Sequence, residues 1–258
     1  MTGYSFGDSE LAAERLRVLD AVFAAPTDAL LADVDVTTAV PPGRVVDLGC
    51  GPGATTARLA ARYPRATVTG IDESEPFLAA ARAAVPAATF EAADVTEPLP
   101  GGPYDLVYAR FLLAHLPDVG AAIVSWLAAL APSGVLVLEE TEQIASTDPT
   151  FARYESLSDA RVRAAGADVY AGRAITAALP LPDADVVVDR VVTLDLTAAQ
   201  AASMFWRNLA TWGADAVADG LVTEADRAAL LTALTARVDD HTRGLFTWTH
   251  HQTVLRRV

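Results

Sequence analysis

Apolar and polar positions alternate along this chain with two different periods. Residues 9–25 follow the helical one. Projected at ~100° per residue, Leu11, Val18, Leu19, Val22 and Phe23 share one arc, and Glu10, Glu14, Arg17 and Asp20 lie opposite. Arg15 falls inside the apolar arc. Thr27 is placed to cap a second short helix over 28–34, and Pro41-Pro42-Gly43 ends the segment. Residues 1–40 therefore read as an N-terminal helical lid. From residue 44 the period changes. Short β-branched runs predict strands at 44–48, 67–71, 88–92, 104–108 and 134–140, with helices between them near 54–63, 75–85 and 118–131. Strand–helix alternation of this kind implies an α/β fold, a parallel sheet with helices on both faces. Past residue 141 the spacing predicts a helix over 151–165, interrupted by Gly166 and Gly172. A strand at 185–196, helices at 197–213 and 223–240, and a last strand at 246–255 follow. Residues 41–258 form one domain in this reading, with a helical insertion at about 197–243.

The most specific stretch is Val45-Val46-Asp47-Leu48-Gly49-Cys50-Gly51-Pro52-Gly53, a buried strand running into a glycine turn. Residues without a Cβ let backbone approach a ligand, and the following helix points its positive end at it. Asp72 closes the second strand, where a carboxylate can accept both hydroxyls of a ribose. Asp94 follows the third strand and is placed to accept from an adenine amino group. A dinucleotide is the rival, since Gly49 to Ala54 also satisfies G-x-G-x-x-A. Three details favour S-adenosylmethionine. Asp47 stands two residues before the first glycine, where a pyrophosphate would meet a like charge and an ammonium or sulfonium an opposite one. Gly53 adds a third glycine. Asp94 has a partner in adenine.

With these motifs the chain resembles the class I S-adenosylmethionine-dependent methyltransferases, specifically over about residues 40–140 and more loosely to the end. The resemblance implies a Rossmann-like doubly wound sheet, mostly parallel, with 246–255 as its antiparallel last strand. It implies that Asp47 and the Gly49–Gly53 loop, with Cys50 and Gly51, hold the methionine part. Asp72 would bind the ribose, Glu73 would flank the adenine, and Asp94 and Val95 would read its edge. Arg110 would line the methionine and substrate side.

Composition narrows the chemistry. The net charge is −14, and no lysine occurs among the 258 residues. Schiff-base and lysine-base mechanisms are excluded, and an acidic surface disfavours nucleic acid. A small neutral or cationic partner fits better. Cys50, the single cysteine, supports neither an internal disulfide nor a cysteine metal cluster. Its place in the glycine turn marks a small side chain under the cofactor. No apolar run is long enough to span a bilayer and no basic-then-apolar leader opens the sequence, so the expected compartment is the cytoplasm, with no membrane partner. No heptad or interface stripe specifies an oligomeric state.

Methyl transfer needs aligned reactants, exclusion of water and, for a hydroxyl acceptor, a base. His115 is the candidate base; a structural role at the following helix start is the alternative. Glu139, Glu140 and Glu142 close the fifth strand and offer either a pocket carboxylate or a solvated acidic turn. His250 and His251 are neighbours on a strand and face opposite ways, so they do not chelate one metal as a pair, and no metal is expected. Arg15 needs a buried anion or an exit to solvent; the methionine carboxylate of the cofactor is the candidate anion. Tyr4 and Phe6 would complete the lid. Met204, Phe205, Trp206 and Trp212 either wall a lipophilic substrate or pack the lid helices. Residues 109–112 are Ala-Arg-Phe-Leu rather than an Asn-Pro-Pro-Tyr element, which disfavours methylation of planar amide or base nitrogens. These features predict methyl transfer to a small molecule, first at oxygen, in bacterial secondary metabolism. The alternatives are a protein of the same fold that binds S-adenosylmethionine and catalyses a rearrangement or elimination, or only binds, and an NAD(P)-dependent oxidoreductase.

Overall fold

The computed structural model describes residues 7–38 and 41–258. Its elements in chain order are α1 (Glu10–Thr37), β1 (Arg44–Leu48), α2 (Ala54–Arg62), β2 (Thr67–Asp72), α3 (Glu75–Ala84), β3 (Thr89–Ala92), β4 (Tyr104–Arg110), α4 (Val119–Ala128) and β5 (Leu130–Ser146). Then come α5 (Pro149–Ala164), α6 (Ala171–Ala178), β6 (Ala184–Leu196), α7 (Ala198–Ala218), α8 (Glu224–Thr235) and β7 (Phe246–Arg257). The seven strands make one sheet in the order β3-β2-β1-β4-β5-β7-β6. Strands β1 to β5 pair in parallel, and β7 runs antiparallel to both of its neighbours. The expected doubly wound sheet with an antiparallel last strand is present.

Alternation along the strands divides the core. Val46, Leu48, Val107, Ala109, Leu136 and Leu138 pack on one face with Ile123 and Trp126 of α4. Val45, Leu106, Tyr108, Val135 and Val137 pack on the other with Leu30, Leu31 and Val34 of α1 and Leu59 of α2. A third cluster lies beyond the strand ends, where Leu19 and Phe23 of α1 meet α5, α7, α8 and the start of β7.

Three expectations about elements change. The N-terminal segment is one helix, not two. Pro26 lies inside α1, where it removes one ladder hydrogen bond, yet the apolar stripe Leu19, Phe23, Leu30, Leu31, Val34 continues through it and is buried on both sides. Thr27 caps nothing; it is buried, and its hydroxyl donates to Glu139 Oε1 at 2.8 Å. Strand β5 begins at Leu130 and runs to Ser146, well beyond 134–140, because β7 pairs with it along its C-terminal extension. Gly172 does not break a helix but lies in α6. A Cβ there would meet His251 Cβ, Glu142 Oε2 and Thr141 O at 2.9 Å each, so the missing side chain lets α6 lie directly on β5 and β7.

Candidate active site

Strand order reverses between β1 and β4, the place where open α/β sheets form a crevice at their carboxyl ends. The loop after β1 and the turn after β4 flank a cavity of about 810 Å³ there. Gly49, Cys50, Asp72, Glu73, Asp94, Val95, Arg110, His115 and Arg15 all line it. Asp47, Gly51 and Gly53 are not among its lining residues. Gly49, Gly51 and Gly53 have φ of 62°, 52° and 87°, left-handed values that suit residues without a Cβ. Gly53 sits against Ala81 of α3, and the N–H of Gly51 donates to Asp72 Oδ2 at 2.8 Å. Their part is to shape the loop that presents Gly49 and Cys50.

Asp47 is turned away and buried, and its Oδ2 accepts from Thr56 Oγ1 at 2.6 Å. Burial pushes its carboxyl up to about 7, against the Thr56 bond and the Arg110 charge. It stands one layer behind the loop. Burial, with the charges of Asp47 and Asp72, also pushes the Cys50 thiol far up, so Cys50 is a protonated wall and not a nucleophile. Asp72 accepts from Gly51 and, through Oδ1, from the Ser74 N–H at 2.8 Å. Each oxygen keeps a second lone pair for ribose hydroxyls. Burial raises its pKa and those backbone donors oppose it. The side chain and backbone of Thr96 lower the pKa of the exposed Asp94. The donor set, with a backbone cradle, a ribose-type acid and a further acid beyond it, fits an adenosine bearing a cationic amino acid.

The β4 side is held by buried acids. Glu139 is fully buried and accepts from Thr27, from the Tyr108 hydroxyl, and from Nε2 of both His250 (2.9 Å) and Gln252 (2.8 Å). Burial alone would raise its pKa; the bond and charge of His250, then Arg110 and Tyr108, outweigh this and hold it at about 2. Arg110 lines the cavity, but its guanidinium is engaged, donating to Asp20 Oδ1 at 2.7 Å and Thr27 Oγ1 at 3.1 Å. Glu140 is also fully buried and accepts the N–H groups of Leu112 and Leu113, both at 2.7 Å. It therefore fixes the turn that carries His115, in which Phe111 has φ 55°. Of the two alternatives offered for these acids, Glu139 and Glu140 match neither: they form a buried brace and do not line the cavity.

Burial raises Glu140 from 4.5 to about 8, and the backbone donors of Leu113, Leu112 and Ala114 only partly oppose it. A folded pKa above the unfolded one means that this contribution to stability is full below 4.5 and is lost as pH rises through about 8. Glu140→Gln keeps the acceptor without a proton to lose. Its melting temperature should fall less than the wild type's between pH 5 and 9. Parallel curves would contradict this assignment.

His115 is pulled down to about 4, by burial first and then by the Arg15 charge, so it is neutral around pH 7. Arg15 is buried (6% exposed). Tyr4 and Phe6 lie outside the described residues. His250 and His251 face opposite sides: His250 meets Glu139, while the His251 ring nitrogens meet Glu142 Oε2 (3.2 Å) and Asp189 Oδ1 (2.7 Å). Among the described residues no group of three or more His, Cys, Asp or Glu is placed to hold a metal ion, and no helix is long and apolar enough to cross a membrane. Of the aromatic cluster, Phe205 lines the cavity; Met204 and Trp212 are core, and Trp206 lies under Arg207.

Sequence reasoning missed the far wall. Thr141 and Ile144 of β5, Asn208 of α7 and Trp248 of β7 line it. So do Tyr154, Glu155, Ser158, Asp159 and Val162, whose spacing of one and four places them on one face of α5. That mixed polar face was the available signal.

A methyltransferase-domain family model matches residues 45–134. A trans-aconitate 2-methyltransferase of Methylobacterium nodulans is 38% identical over 156 residues, 56% of this chain and 59% of that protein. One of Variovorax paradoxus is 47% identical over 116 residues, 44% of this chain and 43% of that protein. The chain thus spans about half the length of the curated relatives it matches. The crystal structure of a putative methyltransferase from Bacillus halodurans shares the fold, with a TM-score of 0.58 at 14% identity over 88% of this chain and 97% of that one.

Proposed function

We propose that this chain, which belongs to the class I S-adenosylmethionine-dependent methyltransferases and has S-adenosylmethionine as its cofactor, transfers the cofactor's methyl group to an oxygen of a small molecule. The observation that carries this reading is one continuous cavity, lined at one end by Gly49, Cys50, Asp72 and Asp94 and at the other by α5, α7 and β7. S-adenosylmethionine supplies, when bound, an electrophilic methyl on a sulfonium. Asp72 would accept the ribose hydroxyls, Asp94 and Val95 would meet the adenine, and Arg15 would offer its charge to the methionine carboxylate. The helical layer of α1, α5 and α7 excludes water from the reacting end. Mass spectrometry should find S-adenosylhomocysteine and methylated acceptor formed one for one; an acceptor consumed without S-adenosylhomocysteine would favour a rearrangement or elimination instead.

The relatives' printed name makes trans-aconitate the first acceptor to assay. The family model ends at residue 134, however, before the far wall begins at Thr141.

His115 is proposed as the base. Above about pH 4 its imidazole is in the neutral, base form, and its place beside the cavity's reacting end puts it where a hydroxyl proton would leave. His115→Gln should lower kcat by roughly 10²- to 10⁴-fold with little change in S-adenosylhomocysteine affinity. Protonation of His115 should lower the wild-type rate as pH falls through about 4, a step absent in His115→Gln. A lowered melting temperature with kcat nearly intact would instead assign His115 a structural part.

A further inference from the structure

The far end of the cavity has a chemistry of its own. Asn208 is only 7% exposed. Its amide donates to the Tyr154 hydroxyl at 2.7 Å, while Oδ1 is buried and accepts no hydrogen bond. Exchanging the two amide atoms only moves the unsatisfied group from acceptor to donor. Buried polar groups of this kind are ordinarily satisfied, and here the open side is the cavity. Tyr154 stacks on Phe205 with centroids 4.1 Å apart, and Phe111 and Trp248 pack against each other, tilted by 54° with centroids 5.8 Å apart; all four rings border the cavity. Flat rings so arranged suit a flat ligand.

The charge is one-sided. Lining residues between 141 and 248 include the carboxylates Glu155 and Asp159 and, among the described residues, no cation. Glu155 accepts from the Tyr170 hydroxyl at 2.5 Å. Asp159 pairs with Arg163, whose side chain is 60% exposed, so this pair is screened by solvent. The two arginines in the lining stand elsewhere: Arg110 is engaged by Asp20 and Thr27, and Arg15 lowers His115. A polycarboxylate placed at this end would meet like charge.

We propose that the far end takes a hydroxyl-bearing arylalkylamine whose oxygen is the methyl acceptor, its ring beside Phe205 and Trp248, its ammonium at Glu155 and Asp159, and one N–H or O–H on the Asn208 amide. This rests on the methyltransferase reading above and adds the acceptor class to it. Three probes share a ring and a hydroxyl and differ in charge: tyramine, 4-ethylphenol and 4-hydroxyphenylacetate. Titrated calorimetrically into protein saturated with S-adenosylhomocysteine, tyramine should bind at least about tenfold more tightly than 4-hydroxyphenylacetate, with 4-ethylphenol between them. Glu155→Gln and, separately, Asp159→Asn should compress that spread, and Asn208→Leu should weaken all three alike. An acid bound as tightly as the amine, a spread unchanged in both charge variants, or no binding of any probe to the saturated protein overturns the proposal and leaves methyl transfer standing. Failure of S-adenosylhomocysteine itself to bind would remove the reading beneath it.

Discussion

Glu139→Ala is expected to destabilise the protein by ~3–5 kcal/mol, the range for removing one partner from a buried charged network. For a chain of this size that lowers the melting temperature by roughly 6–20 °C. The reason is the number of groups left behind. Thr27, Tyr108, His250 and Gln252 all donate to this one carboxylate, and Arg110 is held beside it. These partners come from α1, β4 and β7, so Glu139 ties the N-terminal helix to the centre of the sheet. Glu139→Gln keeps two acceptor lone pairs and should recover part of the loss. The pH dependence has a definite sign. Because the folded pKa is depressed from 4.5 to about 2, the stabilisation is present above 4.5 and is lost as pH falls through about 2. Urea unfolding at pH 7 and pH 3 checks both statements. An alanine variant as stable as the wild type would show the network to be incidental.

The second large effect is on the cofactor. Asp72→Ala should weaken S-adenosylhomocysteine binding by on the order of 10²- to 10⁴-fold, since two hydrogen bonds to a charged acceptor are lost at ~1.5–3 kcal/mol each. It also frees the Gly51 and Ser74 N–H groups that the carboxylate holds at 2.8 Å, so the loop loses its brace as well as its ribose acceptor. Asp94 is exposed, and its oxygen is already shared with Thr96. Asp94→Ala should therefore cost only about tenfold. Equal losses in the two variants would argue against the assigned roles.

The cofactor half of this protein was legible because local rules govern it. A strand period of two, a turn that needs positive φ, and an acid at a strand end leave marks within a few residues of each other, as at Val45–Gly53 and Asp72. What stayed hidden depends on contacts distant in sequence. Thr27 reads as the cap of a second helix until Glu139, 112 positions away, is seen accepting from its hydroxyl. Gly172 reads as a helix breaker until β5 and β7 are seen pressed against it. Glu139 and Glu140 read as either pocket or surface carboxylates, because nothing adjacent shows that Arg110, His250 and the backbone of Leu112 and Leu113 enclose them. Asp47 is half-legible: the sequence marks it as important, and the structure assigns it to Thr56 and the layer behind the loop. The far wall combines five residues of one α5 face with Thr141 and Ile144 of β5, Phe205 and Asn208 of α7 and Trp248 of β7, and no single sequence window contains that pattern.

The most direct test of the central claim is a calorimetric titration of the wild-type protein with S-adenosylhomocysteine. One site per chain, competed away by S-adenosylmethionine and severely weakened in Asp72→Ala, is the predicted result. No heat from either compound, together with a melting temperature raised by NAD(P), would contradict it.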